Sequence, residues 1–463
     1  MFLNPDENDN VALDRYEAML KSNRVIFFDS NEFENIIHHY LDNGQLNKAK
    51  RAVSMALSQH PSTVSLKLFN VEILIFDEEI EKAEEILNTL QQLEPENDEV
   101  YIQKASICSK RNNHIEAVGL LKFALGFSQE PADIHSLLGM EYLFMDDFEN
   151  AKQHFSKCLF LDPDDYSSLY NTINCFNFLE QPNEAIELLS KYLDIKPYSE
   201  IAWHQLGKQY QNNQEYKRAL AAFDFAIISD DRFVGAYIEK GKVLEKLGRF
   251  QDAIENYTIT LELEDPTSYA LLHIGMCYEK LNNPEKALYY YKKTVHEDPL
   301  LDKGWTAITE FYLKQKEYIK ALYYINKAID IDSQNVDYWK HSANINNRLL
   351  NFEEAEISYQ KVLELGDISL NVWLERADIL YKLGEIEAAV VCLNQASEIH
   401  PENAEINYRL AGLHFNKNKT DQAEFYLKQA LIQESDFFIV IEELFPDVAS
   451  LNNVQELYAN LKK

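Results

Sequence analysis

The chain has 463 residues, with 44 Lys and Arg against 76 Asp and Glu, a formal net charge of −32. That sign disfavours nucleic-acid binding, whose affinity comes from cations displacing counterions from phosphate. Only 13 Gly and 12 Pro argue against turn-rich all-β folds and low-complexity chains, and a 46% hydrophobic share supplies the core material that disordered chains lack.

The start, Asn4-Pro5-Asp6-Glu7-Asn8-Asp9, is acidic where a secretory leader would be basic and then apolar. Residues 11–22 have helical periodicity, so residues 1–29 are read as an N-terminal extension with a capping helix. The longest apolar clusters, at residues 25–28 and 437–441, are far short of the ~20 residues that span a bilayer. Cys108, Cys158, Cys175, Cys277 and Cys392 are odd in number and widely spaced, without the close pairs of zinc or redox sites. No metal, no other cofactor, no membrane insertion and a cytoplasmic location are the expectations.

From residue 30 the chain repeats itself. Ala49, Ala83, Ala117, Ala151, Ala185, Ala219, Ala253, Ala287, Ala321, Ala355, Ala389 and Ala423 are each 34 residues apart, with no insertion. With this alanine as position 20, twelve repeats fill residues 30–437. All four tryptophans, Trp203, Trp305, Trp339 and Trp373, fall at position 4. Position 8 is small, as in Gly139, Gly207, Gly241, Gly275, Ala105 and Ala343, which lets two helices approach closely. Position 24 is large, as in Phe155, Phe223, Tyr257 and Tyr359, and fills the space between them. In half of the repeats Pro61, Pro95, Pro163, Pro197, Pro299 and Pro401 at position 32 stop the second helix. Asn112-Asn113, Asn212-Asn213 and Asn282-Asn283 mark the turn between helices A and B, where asparagine tolerates left-handed backbone angles. Residues 438–463 lose the pattern and are read as a degenerate capping hairpin.

This register resembles the tetratricopeptide repeat. The resemblance implies an all-α, right-handed superhelical solenoid of about twelve 34-residue helix hairpins with capping helices at both ends. Stretches such as 141–146 and 296–305 resemble tetratricopeptide proteins of Bacteroidota. The family binds protein segments on its A helices through positions 2, 5, 9, 12 and 13. Repeats one to five place Glu34, Asp42, Glu72, Glu99 and Asp133 there against Lys110, together with Phe76, Met140, Phe144, Tyr170 and Phe178 as apolar anchors. Repeats six to eleven place Lys208, Lys242, Lys246, Lys280, Lys303, Lys314, Lys340, Arg348 and Lys382 there, against Glu245, Glu279, Glu310, Asp337 and Asp378. Position 13 alone forms a ladder of Lys246, Lys280, Lys314, Arg348 and Lys382. Such a ladder would guide an acidic segment, or it would offset acids on neighbouring A helices.

Some relatives clamp the acidic C-terminus of chaperones with a set of Lys, Asn and Arg side chains. Here Lys340, Asn344 and Arg409 match that set, but Glu375 and Glu405 stand where an amide and a cation are needed, which excludes the clamp. No phosphate loop, nucleophile elbow or paired metal histidines occur, so no catalytic residues are assigned and an enzyme is not expected. The expected function is a scaffold or adaptor holding an acidic or extended segment of another protein. Helical-repeat RNA binding, or an enzyme with a site hidden between repeats, are the alternatives; oligomeric state and partner identity are not legible.

Overall fold

The computed structural model describes residues 5–22, 26–263 and 267–461. Parts of both expected terminal segments, residues 1–4, 23–25 and 462–463, lie outside them. The described residues hold helices and turns and no strand. Two compact units divide the chain at Ala236 and Tyr237.

Most hairpins pair a 13-residue A helix with a 14-residue B helix, as in Glu200–Asn212 and Tyr216–Ser229. The alanine at position 20 is fully buried in all twelve repeats. The reason for small residues at position 8 is steric. A Cβ on Gly139, Gly207, Gly241 or Gly275 would stand 2.5 to 2.6 Å from the position 24 ring of Phe155, Phe223, Tyr257 or Tyr291. Position 4 is tied down by polarity: Trp203, Trp305 and Trp339 each donate an indole N–H at 2.9 Å to the position 32 carbonyl of the preceding repeat. Tyr101 does the same with its hydroxyl, at 2.8 Å from the Pro95 carbonyl. Trp373 is the exception. Its repeat follows a B helix one residue short, Phe352–Glu364, and its buried indole N–H has no acceptor.

The A to B turn has one geometry throughout. Position 15 takes a left-handed φ between 55° and 80° in every repeat, and the following N–H closes onto the position 11 carbonyl, as Asn113 does to Cys108 at 2.8 Å. Asn112 and Asn282 occupy that left-handed site as expected. Asn212-Asn213 does not: Asn212 ends its A helix, and Gln214, two residues on, carries the positive φ. The asparagine pair there sits two positions early in the register.

In the first unit the helix Pro5–Ser22 begins well before residue 11, taking in the acidic start. It buries Ala12, Tyr16 and Met19, with Tyr16 packed edge-on against Phe28 and Phe33. In the second unit residues 435–461 form a 3-10 turn and three short helices, Ile439–Leu444, Pro446–Ala449 and Asn452–Leu461, instead of a hairpin of repeat-length helices. The break at Phe445-Pro446 and the shortness of the apolar run prevent a full A helix. This segment buries Phe438, Ile441, Phe445, Val448 and Val454 in the same core as the A helix Ala404–Asn416.

Candidate functional site

Positions 2, 5, 9, 12 and 13 of the A helices are mostly exposed or half-buried, although Leu68, Leu272, Leu374 and Tyr408 at position 5 and Ile75 and Phe415 at position 12 are buried. In repeats eight to ten of the second unit those positions line a groove of about 840 Å³ on Ser268–Lys280, Asp302–Lys314 and Val336–Arg348. Its wall includes Lys280, Lys303, Lys314 and Lys340 against Glu279, Glu310 and Asp337, with Met276, Thr306, Ala307 and His341 between them.

The core reaches this floor through its tyrosines. Tyr291, buried at position 24, donates its hydroxyl to Glu279 at 2.7 Å, and Tyr257 donates to Glu245 at 2.5 Å. His273 also bonds Glu245, at 2.8 Å, and stacks on Tyr269 with ring centres 4.2 Å apart. Burial, then the carboxylate each one faces, pushes the Tyr257 and Tyr291 hydroxyls upward, so both stay protonated donors. At Glu279 burial pushes the carboxyl up, but the bonds from Lys314 and Tyr291 outweigh it and hold it below the usual carboxylate range.

The predicted basic residues fall into two kinds. Lys280 and Arg348 are exposed at the ends of their helices. Others are spent on neighbours. Lys314 contacts Glu279 on the preceding A helix, Lys340 contacts Asp367, and Lys382 donates to Asn347 at 3.2 Å. Lys242 pairs with Glu239 at 2.7 Å and lies 5.2 Å from the Tyr269 ring centre. Lys246 is exposed on the same helix, Val234–Lys246. Lys208 belongs to the first unit, half-buried on Glu200–Asn212. A pattern missed in the sequence is the 35-residue reach from position 13 to position 12 of the preceding repeat. Lys314 and Lys382 follow it; so do Lys110, donating to the Ile75 carbonyl at 2.7 Å, and Asn416, donating to Tyr381 at 2.9 Å. For Lys314, Lys382 and Asn416 the signal was a cation or amide at 13 beside an acceptor side chain at 12, whereas Lys110 reaches the backbone of Ile75 and carried none.

The apolar residues of the first unit are only partly gathered. Phe76 lines a cleft of about 330 Å³, and Met140 and Phe144 line one of about 350 Å³; both clefts share Ile102, Ser106, Lys110 and Leu137. Phe178 instead stacks on Phe148 at 4.7 Å, and Tyr170 lines neither cleft. A separate cleft of about 920 Å³ at the repeat loops is ringed by Glu94, Glu96, Asp98, Glu99, Glu130 and Asp133. Burial, with Asp98 and Asp133 nearby, pushes the Glu99 carboxyl up against its bond from Gln103. No cluster among the described residues could hold a metal ion. The thiols are unpaired; burial pushes Cys158, Cys175 and Cys392 up to about 11 and Cys277 to about 12, far from nucleophilic at neutral pH.

At repeat twelve the A-helix face closes. Phe445 packs where a Cβ on Gly412, at position 9, would stand 2.3 Å from its ring. Arg409 is consumed by Asp378 at 2.8 Å and by Glu405 at 3.3 Å, which removes the last cation of the chaperone clamp from service. Models of the TPR repeat match residues 377–418, and models of the tetratricopeptide repeat match 132–165, 204–257 and 238–301.

The chain carries tetratricopeptide repeats. It is 24% identical over 285 residues to a TPR repeat-containing protein of Methanocaldococcus jannaschii, covering 50% of each. It is 27% identical over 146 residues to cilia- and flagella-associated protein 70 of Homo sapiens, covering 29% of this tetratricopeptide chain and 13% of that protein. The chain thus spans half or less of the curated relatives it matches. Among solved structures, the C-terminal part of a TPR repeat-containing protein from Cytophaga hutchinsonii is 15% identical, with 55% of this chain and 98% of that chain covered at a TM-score of 0.44. No helix among the described residues is long and apolar enough to cross a membrane.

Proposed function

We propose that this tetratricopeptide repeat protein is a non-catalytic scaffold that holds an acidic, extended segment of another protein on the A-helix face of repeats seven to eleven. The observation that carries the reading is the groove of about 840 Å³ lined by four lysines against three carboxylates, in a chain whose net charge is −32. Cations concentrated in a concavity focus positive potential and steer an anionic ligand toward it. Lys280, Lys303 and Arg348 supply the ligand contacts, because Lys314, Lys340 and Lys382 already bond neighbouring side chains. Lys314 and Lys382, both on the ladder, support a second role for it, as cross-links between successive A helices.

The test is an array of acidic peptides screened against the full chain. Lys280→Glu, Lys303→Glu and Arg348→Glu together should abolish binding with the helical signal unchanged, since all three side chains are exposed. Moderate salt should release the bound peptide. Binding that survives the triple variant and high salt would move the ligand to the apolar clefts beside Phe76, Met140 and Phe144.

A further inference from the structure

Position 22, on the B helices, is exposed in all twelve repeats. From Arg51 to Glu255, repeats one to seven fill it in turn with Arg, Glu, Gly, Gln, Glu, Ala and Glu. Repeats eight to twelve, all in the second unit, fill it with Tyr289, Tyr323, Ile357, Val391 and Phe425, exposed by 54%, 59%, 60%, 57% and 55%. Core packing does not explain this column, because the B helices bury positions 20 and 24 instead, as with Ala321 and Ile325. Isolated exposed apolar side chains are ordinary on a soluble protein, but an exposed apolar residue repeated at one position through five successive repeats is not. Ile319 and Ile432, exposed by 77% and 73% one or two turns away on the same face, widen the column.

We propose that a second copy of this chain docks on this column, stripe against stripe, to form a closed dimer. The charge order on either side of the stripe selects that occupant. One helical turn before the column, position 18 carries Glu285, Glu353, Glu387 and Asp421. One turn after it, positions 25 and 26 carry Lys292, Lys293, Lys327, Lys361 and Lys428 and no acid. A two-fold axis running along the row of repeats reverses the helix direction between facing copies. The acidic row of each then meets the basic row of the other, with the apolar columns between them. An axis along the helices would set like charges together, so the order is self-complementary in one arrangement only. Position 19, further round the helix, adds Lys286, Lys320 and Glu354, of which Lys320 is held by Glu317. Lys327, Lys361 and Lys428 have partners on their own helices at 3.5, 3.2 and 3.4 Å, but such exposed pairs are worth little and exchange readily.

The test follows the mass of the full chain by light scattering and sedimentation over a concentration series. The native chain should be dimeric, and Ile357→Glu with Val391→Glu should weaken association by at least about 100-fold, the scale of losing a central apolar cluster. That variant keeps its fold, because Glu85, Glu187 and Glu255 already occupy the same column. A charge exchange then separates self-association from any other use of the stripe. A variant with Lys292, Lys293, Lys361 and Lys428 changed to Glu, and one with Glu285, Glu353, Glu387 and Asp421 changed to Lys, should each be monomeric and should form a heterodimer when mixed. A native chain that stays monomeric throughout overturns the proposal, as does a dimer indifferent to Ile357→Glu with Val391→Glu. A monomer that instead binds anionic lipid vesicles through these side chains overturns it too, and assigns the stripe to a membrane surface.

Discussion

The A-helix faces of the two units share one register and offer a ligand different chemistry. In the first, Phe76, Met140 and Phe144 sit in small adjoining clefts of about 330 and 350 Å³, next to Glu72 and Glu141. Burial, with Glu99 and Asp42 nearby, pushes the Glu72 carboxyl up, so that face disfavours further negative charge. In the second, one groove of about 840 Å³ gathers Lys280, Lys303, Lys314 and Lys340. The alanine at position 20 does not change between the units, and the pairing of a glycine at position 8 with a ring at position 24 occurs in both, at Gly139 and Gly207 in the first and at Gly241 and Gly275 in the second. A solenoid of this kind separates what folds it from what it binds, because each repeat packs mainly on its neighbours and frees the remaining faces.

The largest effect should come from breaking what the units share. Ala151→Leu in the first unit and Ala253→Leu in the second each force a bulky side chain into a fully buried site and should cost about 1 to 3 kcal/mol. Hydrogen exchange should rise first in the altered repeat and its immediate neighbours. Unchanged melting in one unit but not the other would mean that the two frameworks are not equivalent.

A second break is specific to the first unit. His135 and His154 share one Nδ1 to Nδ1 hydrogen bond of 2.9 Å, in which one ring donates and the other, unprotonated at Nδ1, accepts, so the two cannot both be protonated without breaking it. Burial, then the neighbouring His135 and Lys157, pushes His154 down to about 4, and burial also lowers His135. A histidine depressed in the fold contributes stability that is complete above its unfolded value near 6.5 and is lost as pH falls toward about 4. The first unit should lose about 1 to 2 kcal/mol over that window, allowing for partial solvation. In the second unit, among the described residues, His414 alone is displaced the same way. Exchange measured at several pH values, with His154→Gln as control, compares the two directly.

The alanine column was legible in the sequence because every repeat buries it completely, and the glycines at position 8 were legible because a ring at position 24 stands against each of them. The positions of the A-helix cations were legible too, but their pairing was not. Whether Lys314 is available depends on Glu279, 35 residues earlier and brought beside it only by stacking. The loss of an acceptor for Trp373 was equally hidden, since it follows from a single missing residue of B helix in the repeat before. The C-terminal segment lacks the register altogether, and its cover over Gly412 comes from Phe445, between two short helices that no period announces.

That hidden pairing yields a smaller prediction within the second unit. Lys314→Met should cost about 0.5 to 1 kcal/mol, the value of a well-placed exposed ion pair, while Lys280→Met should leave stability unchanged. Carboxyl NMR should show Glu279 titrating below the usual range in the native chain and moving up in Lys314→Met, where burial is no longer opposed by the cation. No movement of Glu279 would deny the cross-link and return Lys314 to the ligand contacts.

The smallest effect concerns the turns, which are alike in backbone and unlike in sequence. Position 15 is left-handed in all twelve repeats, yet glycine or asparagine fills it in only half of them. Leu350 is the least suited of the rest: its φ is 64° and its side chain is 71% exposed, so it gains little packing for the crowding between its Cβ and its backbone. A non-glycine residue in this region costs about 1 to 2 kcal/mol, and glycine gives back part of that through the greater freedom of its unfolded chain. Leu350→Gly should therefore stabilise the second unit by about 0.5 to 1 kcal/mol, read as a higher denaturation midpoint with an unchanged slope. The converse, Gly248→Leu, places the same side chain in a turn with φ 72° and open space around its Cβ, and should destabilise by a similar amount. If both variants melt like the native chain, the turn relaxes around any side chain. The periodic closure onto the position 11 carbonyl would then hold the hairpin without help from the residue at position 15.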